Sequence, residues 1–250
     1  DPIYITEDCD NVNGWYIMGG SRLAERVREC GHLVQVALDF TDLWSALKVA
    51  TVMPDSNSIV LEAGTPLLKS WGVMSVRALR ALKPETPIVA DTKTVDAVSL
   101  EARASSEAGA DAFTVLAIAE DESLKAAVEE AEALGLSVYG DTIASRDPLG
   151  SLERLQRFGV HIALVHVGVD VQARLGLRAA DLVNVVKGFR EAFRGIVAVA
   201  GGIKPGEVGL FVNAGADIVI IGSAITRSQD PRGEALKALE ALRRAGSKCP

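Results

Sequence analysis

The chain has 250 residues, 48% of them hydrophobic, with a formal net charge of −7. That suffices to bury one barrel-sized core or two small ones, and the acidic balance argues against a nucleic-acid partner. It also means that an anionic substrate would need a locally positive pocket or a metal ion.

The first 33 residues stand apart as an N-terminal extension, rich in Asp, Asn and Gly until a helix is predicted over about Ser21–Cys30. Three readings stay open for it: a cap under the main domain, an arm onto a partner subunit, or the tail of a further domain. No charged-then-apolar leader is visible, and no apolar run reaches the ~18–20 residues of a membrane span. Cys9, Cys30 and Cys249 lack metal-ligand spacing, and their odd number suits a reducing compartment. The expectation is a soluble, cytoplasmic protein.

From residue 34 to residue 250 one domain is predicted. Apolar, β-branched runs fall at Val34–Leu38, Ser58–Leu61, Pro87–Ala90, Ala112–Leu116, Ser137–Tyr139, His161–Val165, Ile196–Ala200 and Asp217–Ile221. Between them lie amphipathic helical stretches such as Ser123–Leu134 and Glu234–Arg244. Several helices stop at a glycine, as in Ala108-Gly109-Ala110-Asp111 and Ala214-Gly215-Ala216-Asp217. Eight such βα units predict an α/β fold of the parallel (β/α)8 TIM-barrel type. A doubly wound open sheet is the alternative, but no Gly-x-Gly-x-x-Gly follows the first strand.

In such a barrel the chemistry collects where strands end at their carboxyl edge. Strand one runs into Asp39, strand two into Glu62, strand three into Asp91 and Lys93 with Asp96 beyond, strand five into Asp141 and strand six into His166. Charged residues are seldom buried unless paired or functional, so this rim is read as an active site. Each residue has a plainer reading as well. Asp39, Asp96 and Asp141 suit helix caps, Asp91 and Lys93 suit an ion pair, and His166 suits a satisfied core histidine. Strands seven and eight lead into Gly201-Gly202 and Gly222-Ser223. Backbone N–H groups at such turns suit a phosphate, so a phosphorylated small molecule is expected there.

The segments VALDF, LEAGTPLLKSWG, ADTKTVDA, GADAFTVLA, VHVGVDVQ, AVAGGI and VIIGSAIT together resemble the 3-hexulose-6-phosphate synthases of the orotidine 5′-monophosphate decarboxylase suprafamily. The likeness runs from about Val34 to about Asp230. Where the orotidylate enzyme has a lysine, this chain has Glu62, a change that resembles the metal-dependent branch. Three positions after His166 stands Val169, where the related 3-keto-L-gulonate 6-phosphate decarboxylases have arginine. Val98 and Ser223 depart from the synthase pattern.

The resemblance implies an aldehyde-lyase joining formaldehyde to D-ribulose 5-phosphate through a 1,2-enediolate. It implies Mg²⁺ on Glu62 and Asp91, Lys93 as a fixed positive charge, His166 as the base, and Asp39 and Asp96 on the sugar hydroxyls. Gly201, Gly202, Gly222 and Ser223 would grip the phosphate. It further implies a homodimer in which Asp96 reaches the partner's site. A keto-gulonate phosphate decarboxylase is the nearest rival, and a non-catalytic barrel module of a fusion protein is the rival of another class.

Overall fold

A computed structural model describes residues 20–168 and 179–249. Eight parallel strands close into one barrel in sequence order. They are β1 Leu33–Leu38, β2 Ile59–Ala63, β3 Ile88–Thr94, β4 Ala112–Leu116, β5 Ser137–Asp141, β6 Ile162–His166, β7 Ile196–Ala200 and β8 Ile218–Ile221. Helices follow the strands on the outside, among them Leu43–Val52, Met74–Leu82, Val98–Glu107, Asp121–Leu134, Pro148–Arg157, Ala179–Ala192 and Pro231–Arg244. The TIM barrel expected from the spacing is therefore the observed fold.

Strand alternation divides the core in two. On β1, Val34, Val36 and Leu38 face the helices and belong to the outer core. Leu33 and Ala37 face inward, with Val60, Val89, Ala112, Tyr139, Ile162, Leu164, Ile196, Ala198, Ile218 and Ile220 from the other strands. The barrel is thus packed through its lower and middle levels, and polar residues gather as the strands rise toward their carboxyl ends.

The predicted helix near the N-terminus is present as Arg22–Cys30. Ser21 caps it through a hydrogen bond from the Ala24 N–H, and Leu23, Val27 and Cys30 are buried. These three pack against the interior residues of the strands, so the helix closes the amino-terminal end of the barrel. Cys30 is joined to Cys249 by a disulfide. Counting cysteines did not anticipate this bridge, because residues 219 positions apart in sequence meet only once the barrel is closed. The pairing gives no support to a reading of these thiols as free in a reducing compartment.

Several strands extend further than their apolar runs. Glu62 and Ala63 continue β2, Asp91 to Thr94 continue β3, Gly140 and Asp141 continue β5, and His166 ends β6. A polar side chain interrupts the hydrophobic pattern while its backbone goes on pairing. Among the described residues no helix is long and apolar enough to cross a membrane.

Candidate active site

The capping alternatives resolve first. Asp42, not Asp39, caps Leu43–Val52, accepting from the Ser45 N–H. Asp147, not Asp141, caps Pro148–Arg157 through the Gly150 N–H. Helix Val98–Glu107 starts at Ala97, in the left-handed region at φ 53°, with no side-chain cap from Asp96. The acids at the strand ends are therefore left for other work.

At the carboxyl end of the barrel lies a cavity of about 630 Å³. Asp39, Glu62, Asp91, Lys93, His166, Gly201, Gly202, Gly222 and Ser223 all line it. Asp96 does not line it; it is exposed beyond β3. Asp170, Val169 and Gln172 lie outside the described residues.

The centre of the site is a network around Lys93. Its Nζ lies 2.6 Å from Asp91 Oδ2 and 3.4 Å from Asp141 Oδ2. The backbone is arranged for this contact. The register between β3 and β4 shifts between Ala90 and Thr94, and Lys93 sits at φ 49°, a region that non-glycine residues seldom occupy outside functional sites. The Lys93 N–H is held by Thr114 Oγ1 at 2.8 Å, and Thr114 in turn donates to Asp91 Oδ1 at 2.9 Å. Thr65 donates its hydroxyl to Asp91 Oδ2 at 2.7 Å. Burial works against the lysine's charge, but Asp91 and Asp141 outweigh it and raise the ammonium above its ordinary range.

Asp141 is the hinge of the arrangement. It is buried and touches both Lys93 and His166, whose Nδ1 lies 3.0 Å from Oδ2 and 3.1 Å from Oδ1. Burial opposes its ionisation, yet the His166 hydrogen bond, the charge of His166 and the charge of Lys93 bring its carboxyl below the usual range. A carboxylate there selects the tautomer with a proton on Nδ1, leaving Nε2 as the basic nitrogen for the cavity.

Glu62 is in the opposite situation. Burial first, and then the neighbouring charges of Asp91 and Asp39, push its carboxyl well above the usual value. Asp39 at the cavity lip is also raised, by partial desolvation and then by Asp91. Its side chain lies over Gly64, where an added Cβ would collide with the carboxyl. The floor therefore gathers more carboxyl groups than its one lysine can neutralise.

That surplus is the test for a cation, and the donors fit one. Glu62 and Asp91 offer only hard oxygen atoms, the ligands that Mg²⁺ prefers. Among the described residues no group of three His, Cys, Asp or Glu side chains gathers as a closed cage.

On the opposite side, Gly201 and Gly202 adopt φ 138° and 61° after β7, which turns the chain so that backbone faces the cavity. Gly222 and Ser223 open a short helix after β8, and Lys204 and Arg227 line the same region. Sequence reasoning missed Lys204, because a lysine after Gly-Gly-Ile reads as an ordinary surface residue. It also missed Thr65, Thr114, Gln35 and Tyr139. For the last three a signal existed: each is a hydrogen-bonding side chain on the inward face of an otherwise apolar strand.

Fold and site together define a TIM-barrel protein with an acid–lysine–acid–histidine rim and glycine-rich turns after β7 and β8. The family model described as "Orotidine 5′-phosphate decarboxylase / HUMPS family" matches residues 32–238, and the chain belongs to that family. It is 35% identical over 213 residues to the "Bifunctional enzyme Fae/Hps" of Archaeoglobus fulgidus, covering 84% of this chain and 52% of that protein. The chain thus spans about half the length of the curated relatives it matches. Among solved structures, a 3-hexulose-6-phosphate synthase from Salmonella typhimurium aligns with TM-score 0.78 and 32% identity, over 85% of this chain and 99% of that one. KGPDC from Streptococcus mutans aligns with TM-score 0.77 and 28% identity, over 86% of this chain and 99% of that one.

Proposed function

We propose that this chain is a Mg²⁺-dependent aldehyde-lyase that joins formaldehyde to D-ribulose 5-phosphate, reversibly, giving D-arabino-3-hexulose 6-phosphate. The observation that carries the reading is Asp141 holding Lys93 and His166 at once, a fixed cation and a fixed base on one wall of the cavity. The likeness to the Salmonella synthase and to the bifunctional relatives supports it.

The reaction needs a proton removed next to a carbonyl, and the resulting 1,2-enediolate must be stabilised. Bound on Glu62 and Asp91, Mg²⁺ would supply Lewis-acid stabilisation of substrate oxygens. His166, oriented through Nδ1 by Asp141, takes the C1 proton at Nε2. Lys93, kept as an ammonium, presents positive charge where oxyanion character develops, at no cost in reorganisation. Asp39 holds sugar hydroxyls at the lip. Gly201, Gly202, Gly222 and Ser223 receive the phosphate on backbone N–H groups, with Arg227 and Lys204 adding charge. C1 of the enediolate then attacks the formaldehyde carbon; one C–C bond forms as the C=O π bond of formaldehyde breaks, and the new alkoxide takes the proton that His166 removed.

We propose a homodimer as well, as the family resemblance of the sequence implies. Asp96, Val95 and Leu100 are exposed, the last at 72%, and offer a surface on which a second copy could sit.

The test is formaldehyde consumption with ribulose 5-phosphate, with and without Mg²⁺. Turnover that EDTA abolishes, and that borohydride fails to trap on Lys93, is the expected result. No consumption, with CO₂ release from 3-keto-L-gulonate 6-phosphate instead, would overturn it in favour of the decarboxylase.

A further inference from the structure

Below the reacting groups, the cavity floor holds a hydrogen-bonded chain that the aldol chemistry leaves unused. Tyr139 reaches across the barrel interior from β5 to β1 and donates its O–H to Gln35 Oε1 at 2.7 Å. Gln35 Nε2 donates to Glu62 Oε2 at 2.6 Å. Tyr139, Gln35 and Glu62 are 0%, 1% and 6% exposed.

The order of donors in this chain is fixed by chemistry. Glu62 Oε2 is the acceptor, so it takes the NH₂ end of the glutamine amide. The carbonyl end then faces Tyr139, where only a donor satisfies it. The phenol remains a donor, because burial first and the Glu62 charge second hold its proton well above the ordinary range. Apart from Thr114, which donates to Asp91, the neighbouring inward side chains include the aliphatic Val60, Val89, Ile162, Leu164 and Ile220. A buried polar pair in such surroundings is costly unless every member is satisfied. Here each member is satisfied, and the pair ends on Glu62.

We propose that Gln35 and Tyr139 are positioning residues that hold the Glu62 carboxylate in the orientation that binds a divalent cation. The proposal rests on the reading of Glu62 and Asp91 as the cation's ligands. Asp91 has a comparable mount, since Thr65 and Thr114 hold its two oxygens. Hydrogen-bonded mounts of this kind tune affinity by fixing ligand direction. Tyr139 acts only through Gln35, so the two residues form an ordered relay and not two independent supports.

The experiment is a Mn²⁺ titration followed by electron paramagnetic resonance, on the metal-free full chain and without substrate. Mn²⁺ accepts the same oxygen ligands as Mg²⁺. It is run on the unaltered protein, Tyr139→Phe, Gln35→Met and the double variant, with thermal melts confirming the fold of each. Gln35→Met is expected to weaken Mn²⁺ affinity about 10–100-fold and Tyr139→Phe by a smaller factor of about 3–10. The double variant is expected to be no weaker than Gln35→Met alone. Unchanged affinity in Tyr139→Phe and Gln35→Met overturns the positioning role and leaves the aldol reading standing. Losses that add in the double variant overturn the relay. An unaltered protein that binds no Mn²⁺ overturns both the proposal and the cation-dependent aldol reading. Should Gln35→Met fail to fold, Tyr139→Phe decides alone: its ring packing is retained, and undiminished affinity refutes the proposal.

Discussion

At the amino-terminal end of the barrel, the half-buried Asp111 and the buried Asp217 each pair with an arginine. Asp111 meets Arg80 at 2.5 Å and accepts from the Ile88 N–H. Asp217 meets Arg190 at 3.2 Å and accepts from the Val197 N–H. The arginines lie over Gly109 and Gly215, where a Cβ would strike their side chains. At the carboxyl end, Asp39, Glu62, Asp91 and Asp141 line or adjoin one cavity, and Lys93 pairs with two of them. Paired charge at the lower end fastens strands to one another. At the upper end the carboxyl groups outnumber the one lysine among them.

Altering the upper end breaks this contrast most severely. His166→Gln is expected to lower kcat for formaldehyde consumption on the order of 10²–10⁴-fold, and Asp141→Asn to lower it by a similar factor while leaving the melting temperature near that of the unaltered protein. A large fall in melting temperature with kcat retained would make Asp141 a structural residue. At the lower end the pattern should invert. Arg190→Met leaves Asp217 buried beside a lost partner and is expected to cost about 3–5 kcal/mol in urea unfolding, with kcat per folded molecule unchanged.

Smaller effects sharpen the same contrast. Reducing the Cys30–Cys249 bridge frees the chain's long loop and is expected to cost about 2–4 kcal/mol, again with kcat preserved. His161, just ahead of β6, accepts the Val138 N–H and is buried, which lowers its pKa from 6.5 to about 4. Its folded form binds fewer protons than its unfolded form in that window. Its contribution is therefore full above pH 6.5 and is lost as pH falls from 6.5 toward 4, by up to ~3 kcal/mol. In His161→Asn, which keeps an acceptor for Val138, the slope of stability against pH in this window should flatten. An unchanged slope would assign the acid sensitivity to other groups.

The architecture was legible because eight apolar runs, separated by amphipathic helices, leave a parallel barrel as the regular solution. The rim was legible because acids, a lysine and a histidine are out of place at the ends of buried strands. The partners were not. Nothing local in Asp141 announces that it holds both Lys93 and His166, since their meeting depends on barrel closure. The carboxyl ends of β2, β3 and β5 were read short because apolar counting stops at the first charged side chain. Gln35 and Tyr139 fall inside runs whose other members are mostly apolar. Counting back in twos along the inward face, from Asp39 on β1 and from Asp141 on β5, reaches both of them.

The bridge between Cys30 and Cys249 brings the capping helix and the tail together, with 4.8 Å between their Cα atoms. Both exits from the barrel therefore open on the pole away from the cavity. Cargo genetically spliced ahead of Arg22 or behind Cys249 would hang beneath the catalytic face and leave substrate traffic unobstructed.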